Sequence, residues 1–411
     1  MKTGLSILPG LLVATSFVTG GAARAEGNGI KFGEGRLHPS FGLEGGYDSL
    51  VGFGGLGNTA PTDVVGDIIL HFQPALRFEL PSDDVAFDAH LGADYNLYAG
   101  IPALSYLGLT GDLTLDINRR GKFAVQIGDR VVRSDQTNAL SLGAGVLSTY
   151  NDAHIRGVYR PGGGALEFGV GYDLALELFS ARTAGSQFIS ACPDVNSPLC
   201  NPALVGEANY LNHSISVDGR WKFLPKTALL LESSIAARTY NDTSGFDVPA
   251  YPLRALLGLA GLITTRTTLV FKAGYGDALI NGPSFRSAIG ELEVGYDFSD
   301  TAVMHIGAVR TFEPVPSNLA FYEDDRAYFD AHAQFFGKLL ASTYVGYDYL
   351  VYANNVRTDS NLTATVGLDY EIGFWLRVGA GYTYTLRQST APGIGFNYDR
   401  SEVFLHTVVS Y

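Results

Sequence analysis

The chain has 411 residues, a formal net charge of −13 and 50 glycines, and only 17% of its residues are charged. An acidic balance of this size argues against nucleic acid as a partner, which calls for a basic footprint. The charged fraction lies below the ~25% of soluble domains, yet no run of eighteen apolar residues follows the N-terminal region, so transmembrane helices are not expected.

Residues 1–25 read as a secretion signal. Lys2 supplies a positive start, Leu5 to Val18 an apolar stretch too short to span a bilayer, and Ala23-Arg24-Ala25 a small-x-small cleavage site. Residues 26–37 form a short Gly-rich periplasmic lead, and residues 38–411 a single barrel domain. The first strand runs from about Ser40 to Val51. In the second, Ile68, Leu70, Phe72, Leu76 and Phe78 oppose Asp67, His71, Gln73, Arg77 and Glu79. The third, in Val85 to Ile101, sets Val85, Phe87, Ala89, Leu91, Ala93, Tyr95 and Leu97 against Ala86, Asp88, His90, Gly92, Asp94, Asn96 and Tyr98. Successive side chains of a strand point to opposite faces, so one face is apolar and the other polar. These seventeen residues extend about 55 Å, against the ~17–20 Å of an ordinary strand.

The rest of the chain repeats the pattern. Tight turns at Asn118–Gly121, Pro161–Gly164, Leu224–Lys226, Thr264–Thr267, Phe298–Thr301, Gly337-Lys338 and Glu371–Gly373 alternate with longer loops, the longest about Ser180 to Ala208. The tenth and thirteenth strands alternate weakly. The expected fold is all-β, a transmembrane antiparallel up-and-down barrel of about eighteen strands with short periplasmic turns and longer extracellular loops. Its place is the bacterial outer membrane, among outer-membrane lipid. On the last strand Val403, Leu405, Thr407, Val409 and Tyr411 share a face and the chain stops on an aromatic. This resembles the C-terminal signal handed to the barrel-insertion machinery.

A barrel this wide encloses an aqueous lumen. The expected charged lining is Asp67, Asp88, Asp94, Asp112, Arg130, Arg156, Glu167, Asp173, Arg220, Arg238, Lys272, Glu291 and Glu293. These charges fall in blocks of one sign along the chain. They serve either as wall ladders between neighbouring strands or as a transverse field across the pore. Expected lumenal aromatics are Tyr98, Tyr240, Tyr328, Tyr344 and Trp375, rings that could stack on sugar faces. Cys192 and Cys200, in a polar loop of a secreted chain, are most simply a disulfide. No G-x-S-x-G or H-E-x-x-H motif is present, and the scattered histidines form no constellation, so no enzyme, cofactor or metal is expected.

Residues 46–98 resemble the β-barrel porin 2 family. The matching stretches are Gly46-Tyr47-Asp48-Ser49-Leu50-Val51, then Asp67-Ile68-Ile69 with Gln73-Pro74-Ala75-Leu76-Arg77-Phe78, then Asp94-Tyr95-Asn96-Leu97-Tyr98. Members often accompany polysaccharide export systems. The resemblance implies a channel passing exopolysaccharide outward, with polysaccharide as cargo and a periplasmic export partner. Two other readings stand beside it: a general or solute-specific diffusion porin, constricted by an inward-folded loop 180–208, and a structural or adhesive barrel.

Overall fold

The computed structural model describes residues 27–51, 65–135, 146–162, 164–181, 209–241, 249–280, 285–314, 321–390 and 397–411. The expected signal segment 1–25 and both cysteines lie outside them. The described strands are β1 (Ile30–Phe32), β2 (Gly35–Val51), β3 (Val65–Leu80), β4 (Val85–Tyr98), β5 (Tyr106–Ile117), β6 (Phe123–Ser134) and β7 (Val146–Tyr159). They continue as β8 (Leu166–Ala181), β9 (Tyr210–Leu224), β10 (Thr227–Tyr240), β11 (Leu253–Leu262), β12 (Thr267–Asp277) and β13 (Arg286–Ser299). The last six are β14 (Ala302–Pro314), β15 (Phe321–Phe335), β16 (Leu339–Tyr352), β17 (Thr358–Gly373), β18 (Leu376–Ser389) and β19 (Tyr398–Ser410).

Each of β2 to β19 pairs antiparallel with its chain neighbours, and β19 closes on β2 with Leu405 opposite Gly45. The result is a closed eighteen-stranded barrel plus the extra strand β1. Eighteen strands spaced about 4.8 Å and tilted ~40° enclose a backbone cylinder about 35 Å across. Register keeps paired residues on one face. Leu91 lies opposite Leu76 and Gly111, while His90 lies opposite Arg77 and Asp112. The aliphatic row is solvent-accessible in the isolated chain (Leu91 66%, Leu257 58%, Leu405 65%) and forms a continuous outward belt. A belt of this composition around a polar interior is what a lipid bilayer stabilises. The chain is an outer-membrane-type barrel.

Three departures from the sequence reading have physical causes. The expected lead 26–37 contributes structure, because β1 folds back on β2 with Ile30 opposite Leu37 and Gly33 takes φ +63° at the reversal. A residue with a Cβ would be strained there. The β3–β4 ladder lapses between the pairs Phe72–Tyr95 and Ala75–Gly92, around Pro74, which has no N–H to donate. Trp375, expected on the lumen wall, sits instead in the turn between β17 and β18 and is 46% exposed. A register shift between Glu371 and Gly373 pairs Gly373 with Leu376 and leaves Phe374 and Trp375 to make the reversal.

At the opposite end the wall does not stay cylindrical. Pairing of β13 with β14 stops at Gly290–Arg310, and the last residues of β14 lean inward. The Arg238 guanidinium on β10 donates to the Pro314 carbonyl at 2.9 Å. Four strand spacings, about 19 Å, would separate β10 from an upright β14. Phe312, fully buried, stacks on Phe285 at 4.5 Å and stands over the inward face of Gly276. Ala250, Ala278, Ile280, Ile289, Phe321 and Ala353 complete this apolar cluster.

Candidate functional site: the lumen

The inward face is polar over most of the wall, apart from β11 and the apolar cluster at the end of β14, and the structure pairs its charges more closely than the chain order suggests. Arg77 donates from Nε to Asp88 at 3.0 Å, and Arg160 to Glu167 at 2.8 Å. Both pairs join neighbouring strands. Others span two. Arg156 on β7 reaches Asp218 on β9 at 3.1 Å, passing over Gly169 and Gly171 of β8. Lys272 on β12 lies between Glu291 of β13 and Glu232 of β10, 3.1 Å from each. It crosses Gly258, where a Cβ would come within 2.5 Å of the Phe271 carbonyl. Lys272 is only 3% exposed. It is a strut of the wall, and its burial is tolerable because two carboxylates surround it.

Each expected lining residue has a definite place. Asp67, 6% exposed, is turned toward the loop after β4 and accepts the N–H groups of Gly100 and Ile101 at 2.7 and 2.9 Å. It clamps that loop. Asp94 faces His71 at 3.2 Å and Gln73 at 3.4 Å. Asp112 stands 3.6 Å from Arg130 and 3.7 Å from His90. Asp173 lies opposite His154, and Arg220 lies opposite Glu167 with its side chain exposed. Arg238 covers the Tyr210 ring at 4.4 Å besides anchoring Pro314. Glu291 holds Lys272, and Glu293 accepts from the Tyr328 hydroxyl at 2.5 Å beside His305 at 3.2 Å.

Of the expected aromatics, Tyr98 is 6% exposed, packed with Val51 and Leu104 under a loop, and offers no open ring. Tyr240 meets Tyr210 edge-on at 6.0 Å. Tyr344 lies against Gly346 on β16. At the C-terminus, Leu405 and Val409 are in the outward belt, and the Tyr411 N–H donates to the Pro39 carbonyl at 3.0 Å.

The sequence reading passed over several lumenal residues. Glu44 is 3.8 Å from His71. Arg326 pairs with Asp348 and with Asp324 at 3.0 Å, and Asp359 binds both Arg357 and Arg387. Asp152 and Asp173 are diagonal neighbours on β7 and β8. Among the described residues neither is held by a Lys or Arg. Along β4 to β9 the waist therefore carries Asp94, Asp112, Asp152, Asp173 and Asp218 against Arg130 and Arg156, and Arg156 is spent on Asp218. The waist is acidic.

The fold defined by this wall is that of outer-membrane porins. The chain superposes on OccK2 (OpdF) of Pseudomonas aeruginosa with a TM-score of 0.50 and 11% identity, covering 91% of this chain and 98% of that one. OccAB3 of Acinetobacter baumannii gives a TM-score of 0.48 at 10% identity, covering 91% of this chain and 99% of that one. OpdK of Pseudomonas aeruginosa gives 0.47 at 12%, covering 91% and 98%. No protein-family model and no curated protein matches the chain.

Proposed function

We propose that the protein is a solute-selective diffusion porin of the bacterial outer membrane that favours small cationic solutes. The observation that carries this reading is the acidic waist, where among the described residues Asp152 and Asp173 make no ion pair with a Lys or Arg, although Arg130 lies across from Asp152 and His154 across from Asp173. Carboxylate-lined constrictions concentrate cations and repel anions. The inward-leaning end of β14 supports a size limit, since it narrows the mouth that a polymer would have to thread. Polysaccharide export, the expectation drawn from the family resemblance, gains no support from the comparisons. Residues 182–208 of the expected inward loop lie outside the described residues, and the segment that leans inward is the end of β14.

The test is swelling of liposomes containing the purified protein in isotonic solutes of matched size. Small cationic amines should enter faster than carboxylates, and a polysaccharide should not enter. Equal rates for cations and anions would overturn the selectivity, and polymer entry would restore the export reading.

A further inference from the structure

The outward face carries one charge where the belt is elsewhere uncharged. At the fourth outward position above the short-turn end, β4 has Leu91, β5 Gly111, β7 Ala153 and β8 Tyr172, and β6 has Asp129. None of the other barrel strands is charged at that position. Asp129 stands six residues above Phe123, the first residue of its strand. With a tilted rise this places it about 15 Å up a belt about 25 Å tall. It is exposed, and its Oδ1 accepts from the Asn151 Nδ2 at 2.6 Å. A carboxylate at this depth meets acyl chains, which have no donor to offer it.

We propose that the outward face of β6 to β9 is a contact between two copies of this chain within the membrane. The same patch holds donors for the Asp129 carboxylate besides Asn151. Two strands away at the same height is Tyr172, whose hydroxyl is 2.7 Å from the His213 Nδ1 on β9, and His213 is exposed. Between Asp129 and Tyr172 lies Ala153, a small residue at which two walls can approach, with Ile155 and then Gly157 below it on β7. A two-fold axis along the membrane normal through Ala153 exchanges the β6 and β8 positions. It sets Asp129 of each copy against the Tyr172–His213 pair of the other. The patch is thereby self-complementary, the requirement of an isologous contact. Acyl chains add no hydrogen bond to those that Asn151 and the Tyr172–His213 pair already make, whereas the second copy does.

The experiment uses the full mature chain in lipid nanodiscs, with Cys192 and Cys200 replaced by Ser. Ala153→Cys should give a covalent dimer under mild oxidant, whereas Leu292→Cys, on a distant strand of the belt, should not. Asp129→Leu should retain the folded, heat-modifiable form and lose the dimer mass in native mass spectrometry. A monomer mass for the parent protein would overturn the proposal. So would a dimer that survives Asp129→Leu, or cross-linking at Leu292 in place of Ala153. If Asp129→Leu does not fold, the cross-linking pair alone decides.

Discussion

At the scale of single residues, lumenal charge divides into groups consumed by the wall and groups left to the solute. Lys272, Glu232, Glu291, Arg156 and Asp218 belong to the first kind, because each spans or borders a strand that carries glycine beneath it. Gly258→Val puts a branched side chain where Lys272 crosses and where the Phe271 carbonyl leaves no space. Overpacking of this kind costs about 1–3 kcal/mol. The folded band on unheated gels should convert to the unfolded one at lower temperature, and an unchanged transition would contradict the crossing. Asp152 and Asp173 belong to the second kind. Asp152→Asn with Asp173→Asn should leave that transition where it is and lower the cation-to-anion permeability ratio. A several-fold fall is the expected size, since two waist carboxylates that make no ion pair with a Lys or Arg among the described residues are removed.

Among the elements, the inward end of β14 has the clearest mechanical consequence. Arg254 holds it from β11, donating to the Phe312 carbonyl at 2.6 Å and to Glu313 at 3.0 Å. Hydrogen bonds involving charged groups contribute about 1.5–3 kcal/mol, enough to shift the balance of a short strand end. Arg254→Ala should loosen the tip, giving larger and noisier single-channel conductance. Conductance unchanged in both size and noise would mean that the tip does not bound the pore. The strands themselves were legible in the sequence, because a half-wet barrel strand must alternate and a one-residue slip would turn its apolar row into the water. The weak alternation of two strands now has a cause. Gly258 of β11 faces inward beneath the Lys272 crossing, Leu256 faces inward against the Phe312 cluster, and Gly307 of β14 lies beneath Tyr328. Inward glycines were therefore a readable sign of side chains bridging two strands. The lean of β14 was not readable, since it depends on Phe312 meeting Phe285 where the β13–β14 ladder has stopped at Gly290–Arg310. Trp375 was misplaced because parity counting runs straight through a turn that resets it.

For the whole molecule, closure and charge act together. The barrel has no free sheet edge, since β19 pairs with β2 along Ser40 to Asp48. The C-terminal residue is tied to that seam through the Tyr411 N–H and the Pro39 carbonyl. If Tyr411 and the outward row Leu405 and Val409 form the insertion signal, Tyr411→Ala should reduce the amount of barrel recovered from outer membranes while leaving refolding of purified protein in detergent intact. Equal recovery would contradict that role. The chain's net charge of −13 is expressed inside as well as overall, and the waist is where it meets the solute. The proposed selectivity is thus the property that joins sequence, wall and function. The most direct measurement is the reversal potential of the open channel in a planar bilayer under a tenfold KCl gradient. The structure predicts a potential of the sign set by potassium crossing in preference to chloride, reduced toward zero in the Asp152→Asn, Asp173→Asn double variant. A potential near zero or of chloride sign in the parent protein would contradict the account.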